Sequence, residues 1–131
     1  MSKKNIAILT GGHSAELEIS LASAQVVYEN LSKEEYQVYK VNISNIPWTV
    51  SENNNQISTI DLNDFSFSIE NKKTNFDVVF MAIHGTPAED GRVQGYFDIL
   101  NIPYTCSSSL ASAITMDKDI YNRILKDCPL F

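Results

Sequence analysis

The sequence predicts an α/β fold, a mostly parallel open sheet with helices on both faces, from three observations. Apolar runs with strand character alternate with segments of helical period, as in βαβ units. The run "FDVVFMAIH", residues 76–84, is apolar throughout rather than alternating, which suits a central parallel strand buried on both faces. At 131 residues the chain suits one domain, and a domain of that size buries roughly two-thirds of the surface its unfolded form exposes.

The elements follow in order. "NIAILT", residues 5–10, reads as a strand that stops at Gly11 and Gly12. The helix after it sets Ile19, Ala22, Val26 and Val27 on one side, with Glu18, Ser20, Glu29 and Asn30 serving the other side or the ends. Ser14 can cap its start, and Glu16 and Glu18 sit where acids complement the helix dipole. "YQVYKVNI", residues 36–43, alternates and favours a strand. Residues 47–75 are rich in Asn, Ser and Asp and read as a polar edge insert, an exposed ribbon or irregular segment. Beyond the central strand, "VQGYFDIL" (93–100) is a short helix and "IPYTC" (102–106) a brief strand, with Pro103 near its start where a missing amide is tolerated. "SSLASAITMDKDIYNRILKD" reads as one helix, capped by Ser108 or Ser109, with Leu110, Ala113, Ile114, Ile120, Ile124 and Leu125 as its apolar stripe.

Composition narrows the partners. A formal net charge of −6 without a basic cluster argues against nucleic acid and against docking on anionic lipid. No window approaches the ~20 apolar residues of a spanning helix, and "MSKKNIAIL" lacks the cleavage site of a signal peptide, so a cytoplasmic protein is expected. Cys106 and Cys128 form no metal or redox spacing and are expected to stay reduced. A small molecule is the expected partner.

Its site is expected where such sheets bind ligands, beyond the carboxyl ends of the strands. Gly11 to Glu18 follow the first strand and His84 to Gly91 the central one. If those strands are neighbours, the loops face each other, and Glu16 could hold an ammonium group while His84 hydrogen-bonds to it or to its carboxylate. Plainer readings stand beside this one: Glu16 as a first-turn acid, His84 as a satisfied structural histidine. Cys106 as a nucleophile beside His84 lacks a third orienting group. A phospho-acceptor receiver domain is excluded, since Gly-Gly and His-Gly stand where it needs acids. A non-catalytic nucleotide or small-molecule binding module, or a dimerisation domain, of flavodoxin-like fold remains an alternative, although no G-x-G-x-x-G occurs.

Three stretches together, "GGHSAELEISLASA" (11–24), "HGTPAEDGRVQGYFDILNIPYT" (84–105) and "SAITMDK" (112–118), resemble the D-alanine:D-alanine ligases, ATP-grasp enzymes of peptidoglycan synthesis. The resemblance implies that residues 1–131 form the N-terminal, Rossmann-like pre-ATP-grasp domain, with the central ATP-grasp and C-terminal domains absent. It implies an enzyme that activates one D-alanine as an acyl phosphate with ATP and Mg2+, which a second D-alanine then attacks, the isolated fragment being inactive and holding no cofactor. Glu16 then matches the glutamate that binds the first D-alanine's ammonium, Ile19 an aliphatic residue at its methyl pocket, and His84 the histidine near the same substrate. Lys118 matches a lysine that reaches the nucleotide phosphates. Gly11, Gly12, Gly85, Glu89, Asp90 and Gly91 match loop positions with a structural role. Relatives dimerise chiefly through this domain, so a homodimer is expected. Three positions depart from the pattern: Ala88 where many members have glycine, Cys106-Ser107-Ser108 where a small run such as Gly-Ser-Gly is common, and His13. If position 88 needs a positive φ, alanine costs roughly 1 kcal/mol there.

Overall fold

A computed structural model describes residues 2–128, built around β1 (Lys4–Thr10). Four consecutive apolar residues of this strand, Ile6 to Leu9, are buried, because the sheet gives both of its faces a cover. α1 (Leu17–Asn30) crosses over to β2 (Tyr36–Asn42), which lies parallel to β1 with Ile6 opposite Val38. β7 (Val78–Met81) lies parallel on the other side of β1, with Ile6 opposite Val78. α2 (Arg92–Leu100) leads on to the two-residue β8 (Tyr104–Thr105), parallel to β7. Between β2 and β7 the chain lays down β3 (Thr49–Glu52) and β4 (Asn55–Thr59), antiparallel at the far edge, and a separate hairpin of β5 (Phe67–Ile69) and β6 (Lys72–Thr74). The six-stranded order is β4-β3-β2-β1-β7-β8. The mostly parallel α/β sheet predicted from the sequence is therefore the fold. α3 (Ser109–Met116) and α4 (Lys118–Lys126) complete the described chain, in which no helix is long and apolar enough to cross a membrane.

Alternation along the strands divides the core. Ile6, Ile8 and Val38 meet Ala24 and Tyr28 of α1 on one face. Ala7, Leu9, Tyr39, Val41 and Val79 meet Val93 and Phe97 of α2 on the other, together with Phe65, Phe67 and Phe76.

Four local expectations are corrected. β1, not the 76–84 run, is central; β7 is one strand from the edge, and of its residues only Val79 is fully buried. α1 buries Ser20, Ala24 and Tyr28 rather than its most apolar side, leaving Ile19 53% and Val26 59% exposed. Two small residues let the helix approach the sheet, and the hydroxyls it buries have partners: Tyr28 Oη donates to Asn53 Oδ1 (2.9 Å) and accepts from Asn53 N (3.0 Å). The insert is no mere exposed ribbon. Phe65 and Phe67 are fully buried, Phe65 packing edge-on to Phe97 at 4.8 Å and Phe67 to Tyr39 at 4.9 Å, so an aromatic layer covers the sheet where a further helix would otherwise lie. Finally, the last predicted helix is two. Asp117 turns extended (φ −86°, ψ 99°) and its carboxylate accepts from Asp119 N (3.0 Å) and Ile120 N (3.1 Å), ending α3 and capping α4. Ser108 caps α3 by accepting from Ala111 N, as foreseen.

Candidate functional site

Because β1 and β7 are hydrogen-bonded neighbours, the loops that leave their carboxyl ends meet. Gly11 and Gly12, both buried, lead from β1 into the first loop, and His13 N donates to Thr86 O (3.5 Å) across to the second. Ser14 is not the N-cap. It sits two residues earlier, where its Oγ accepts from Glu16 N (3.1 Å) and donates to His84 O (2.9 Å). Glu16 takes the cap position with its carboxylate exposed and making no cap bond.

The contact between loops is close. At Gly85 (φ 78°) a Cβ would stand 2.7 Å from Ser14 Oγ and 3.1 Å from Glu16 Oε2, so this residue must lack a side chain for the approach to occur. The same figures put the Glu16 carboxylate against the residue following His84. Ile19, one turn along α1, shares the helix face of Glu16 and is exposed. Glu16 thus lies against the start of the second loop, with Ile19 one turn further along α1.

His84 is half-buried and held at three atoms. Its N–H donates to Ser20 Oγ (2.9 Å), its carbonyl accepts from Ser14 Oγ, and its Nε2 lies 3.0 Å from Ser23 Oγ. Ser20 also donates to Glu16 O (3.2 Å), so one buried hydroxyl ties Glu16 to His84. Sequence reading singled out none of these serines for this. Their one visible signal is that Ser20 and Ser23 fall on the same face as Glu16.

The second loop closes on itself. Ala88 N and Glu89 N both donate to Gly85 O (3.1 and 2.9 Å), and Val93 N donates to Pro87 O (3.1 Å). The two acids serve differently. Asp90 accepts from Thr86 Oγ1 and from Arg92 N (3.2 Å), with Arg92 Nε at 3.4 Å, and so fixes the entry to α2. Glu89 is exposed and lines, with Ile83, Gln94 and Cys106, a cleft of about 350 Å³. Gly91 (φ 82°) has the backbone of Ser109 where its Cβ would be, and its carbonyl accepts from Ser109 Oγ (2.8 Å), which docks the start of α3 on this loop.

Gln94 was missed as well. It is 1% exposed, and its Nε2 donates to Ala88 O (2.6 Å) and Ser112 Oγ (3.3 Å), joining loop, α2 and α3. Ala88 lies outside the positive-φ region, so the cost foreseen there does not arise. Cys106 is the strained departure, at φ 137°. Burial pushes its thiol pKa up, against a lowering by its bond from Gln94, and His84 Nε2 is engaged by Ser23. A Cys106–His84 nucleophile therefore has no geometric basis.

Lys118 opens α4, exposed, and among the described residues no hydrogen bond or ion pair joins it to Glu16 or His84. No group of three or more His, Cys, Asp or Glu side chains able to hold a metal occurs among the described residues.

Residues 5–107 match the family described as D-ala D-ala ligase N-terminus. The chain belongs to the D-Ala–D-Ala ligase family. A D-alanine–D-alanine ligase of Bacteroides fragilis is 47% identical over 124 residues, covering 95% of this chain and 38% of the relative. The structure of D-alanyl-alanine synthetase A from Vibrio cholerae superimposes with a TM-score of 0.83 at 29% identity, over 96% of this chain and 38% of that one. The D-alanine–D-alanine ligase of Bacillus anthracis, complexed with ATP, gives 0.71 at 29% identity over 96% and 35%. This ligase-family chain spans 38% of the length of the first of these relatives.

Proposed function

We propose that this chain is the N-terminal substrate domain of an ATP-dependent D-alanine:D-alanine ligase that makes the D-alanyl-D-alanine dipeptide for peptidoglycan synthesis through an acyl phosphate. One observation supports the reading beyond family membership: Glu16 and His84, from loops 68 residues apart in sequence (84 minus 16), are tied together through Ser14 and Ser20. An exposed carboxylate there suits the ammonium of the first D-alanine, Ile19 suits its methyl group, and His84 supplies a hydrogen-bonding ring beside it. ATP, when bound by the whole enzyme, supplies the phosphoryl group that activates the substrate carboxylate. Lys118, a cation at an open helix start, suits a phosphate, whereas the described residues do not fit Mg2+, and no step is assigned to that ion. In this reading the protein works in the cytoplasm and pairs as a homodimer through this domain.

The test compares the 131-residue chain with a version extended through the downstream reading frame, assaying ATP hydrolysis and D-alanyl-D-alanine formation. Turnover in the extended protein alone is expected. Turnover by the short chain would overturn the assignment and require a self-contained site.

A further inference from the structure

Serine and threonine hydroxyls inside a helix ordinarily return their proton to the carbonyl one turn back. Ser20 does so to Glu16 O (3.2 Å) and Thr115 to Ala111 O (2.9 Å). Ser23 does not: among the described residues its Oγ has one hydrogen-bond partner, Nε2 of His84, at 3.0 Å. We infer that Ser23 is a positioning residue for His84, donating its proton to Nε2 and holding the neutral imidazole in the tautomer that carries its hydrogen on Nδ1.

The ring is held at its base and meets one hydroxyl. Its residue is fixed at the backbone N–H by Ser20 and at the carbonyl by Ser14, so the side chain swings from a clamped base and meets Ser23 at one nitrogen. A neutral imidazole has one donor and one acceptor nitrogen, and the bond made by one decides the other. With Nε2 accepting, Nδ1 carries the hydrogen, and among the described residues Nδ1 has no partner. Unconstrained neutral histidine favours the opposite tautomer, so Ser23 reverses the intrinsic preference. The ligand chemistry follows: a ring held this way offers one N–H to an acceptor. Resting on the reading that the crevice takes an amino acid, the substrate carboxylate is the group it meets, while the Glu16 carboxylate takes the ammonium. The serine thereby helps to set which end of a zwitterion faces which loop.

The experiment is long-range proton–nitrogen correlation NMR of the chain labelled with 15N-histidine, at a pH well above the ordinary histidine range. His13, which is exposed, is the internal reference. His84 is expected to show the Nδ1–H pattern while His13 shows the ordinary Nε2–H one. Ser23→Ala moves the His84 proton to Nε2, and Ser23→Thr, which keeps the hydroxyl, retains the wild-type pattern. An Nε2–H ring in the wild type, or a ring unchanged in Ser23→Ala, overturns the inference. Should Ser23→Ala fail to fold, the wild-type and Ser23→Thr spectra still decide it. The spectrum is read without turnover, so its failure and the failure of the ligase assay are separate results.

Discussion

The two ends of this domain are built on opposite principles. Where the first βα loop meets the loop after β7, the contacts are polar: Ser14, Ser20 and Ser23 each bond an atom of His84, and Ser20 is fully buried. At α3 and α4 large apolar side chains lie open, with Leu110 70%, Met116 50% and Ile124 45% exposed, and only Ser112 is buried. Apolar content therefore does not mark the most closely bonded part of this molecule. Precision at the crevice comes from hydroxyls whose partners are fixed, because a buried donor left unmatched costs more than an exposed methyl group contributes.

Substitutions can break that contrast, beginning with the largest expected effect. If the proposed function holds, Glu16→Gln in the extended enzyme is expected to weaken binding of the substrate ammonium and to lower kcat/KM for D-alanine by about 100-fold, at roughly 1.4 kcal/mol per tenfold, with little change in melting temperature. Steady-state kinetics beside a thermal melt check both. Gly91→Ala drives a Cβ into the Ser109 backbone at φ 82° and is expected to destabilise the chain by about 2 kcal/mol or more in urea titration. Ser20→Ala strands the His84 N–H and is expected to cost about 1–3 kcal/mol by the same measurement. Cys106→Gly relieves the strained φ and should stabilise by about 0.5–1 kcal/mol, read as a rise in denaturation midpoint. Ile124→Ala should stay within about 0.5 kcal/mol of wild type, since its side chain is half exposed. If Ile124→Ala cost as much as Ser20→Ala, the contrast between the two ends would be lost.

The same contrast explains what could be read in advance. Strand and helix order was legible because it rests on local periodicity, and the meeting of the two loops was legible because parallel strands end their loops on one side. The role of the serines was not, since a hydroxyl says nothing about a partner 61 or 70 residues away. Phe65 escaped because it takes a positive φ of 55° and its burial depends on a gap in the helix layer that only the assembled sheet creates. The break at Asp117 was within reach. An aspartate two residues before another acid, opening an amphipathic stretch, is an N-cap signal that the longer apolar stripe concealed.

The placement of β1 has a consequence for how the chain leaves the ribosome. Its apolar residues are synthesised before either neighbour, and β2 can flank them soon after, but the strand on their other side arrives 72 residues after Ile6, at Val78. Until then the nascent protein carries one unpaired edge, the kind of surface that chaperones cover and that sticks to its own copies. The two loops therefore meet only once β7 is made, when Met81 has emerged and His84 can reach Ser14, Ser20 and Ser23.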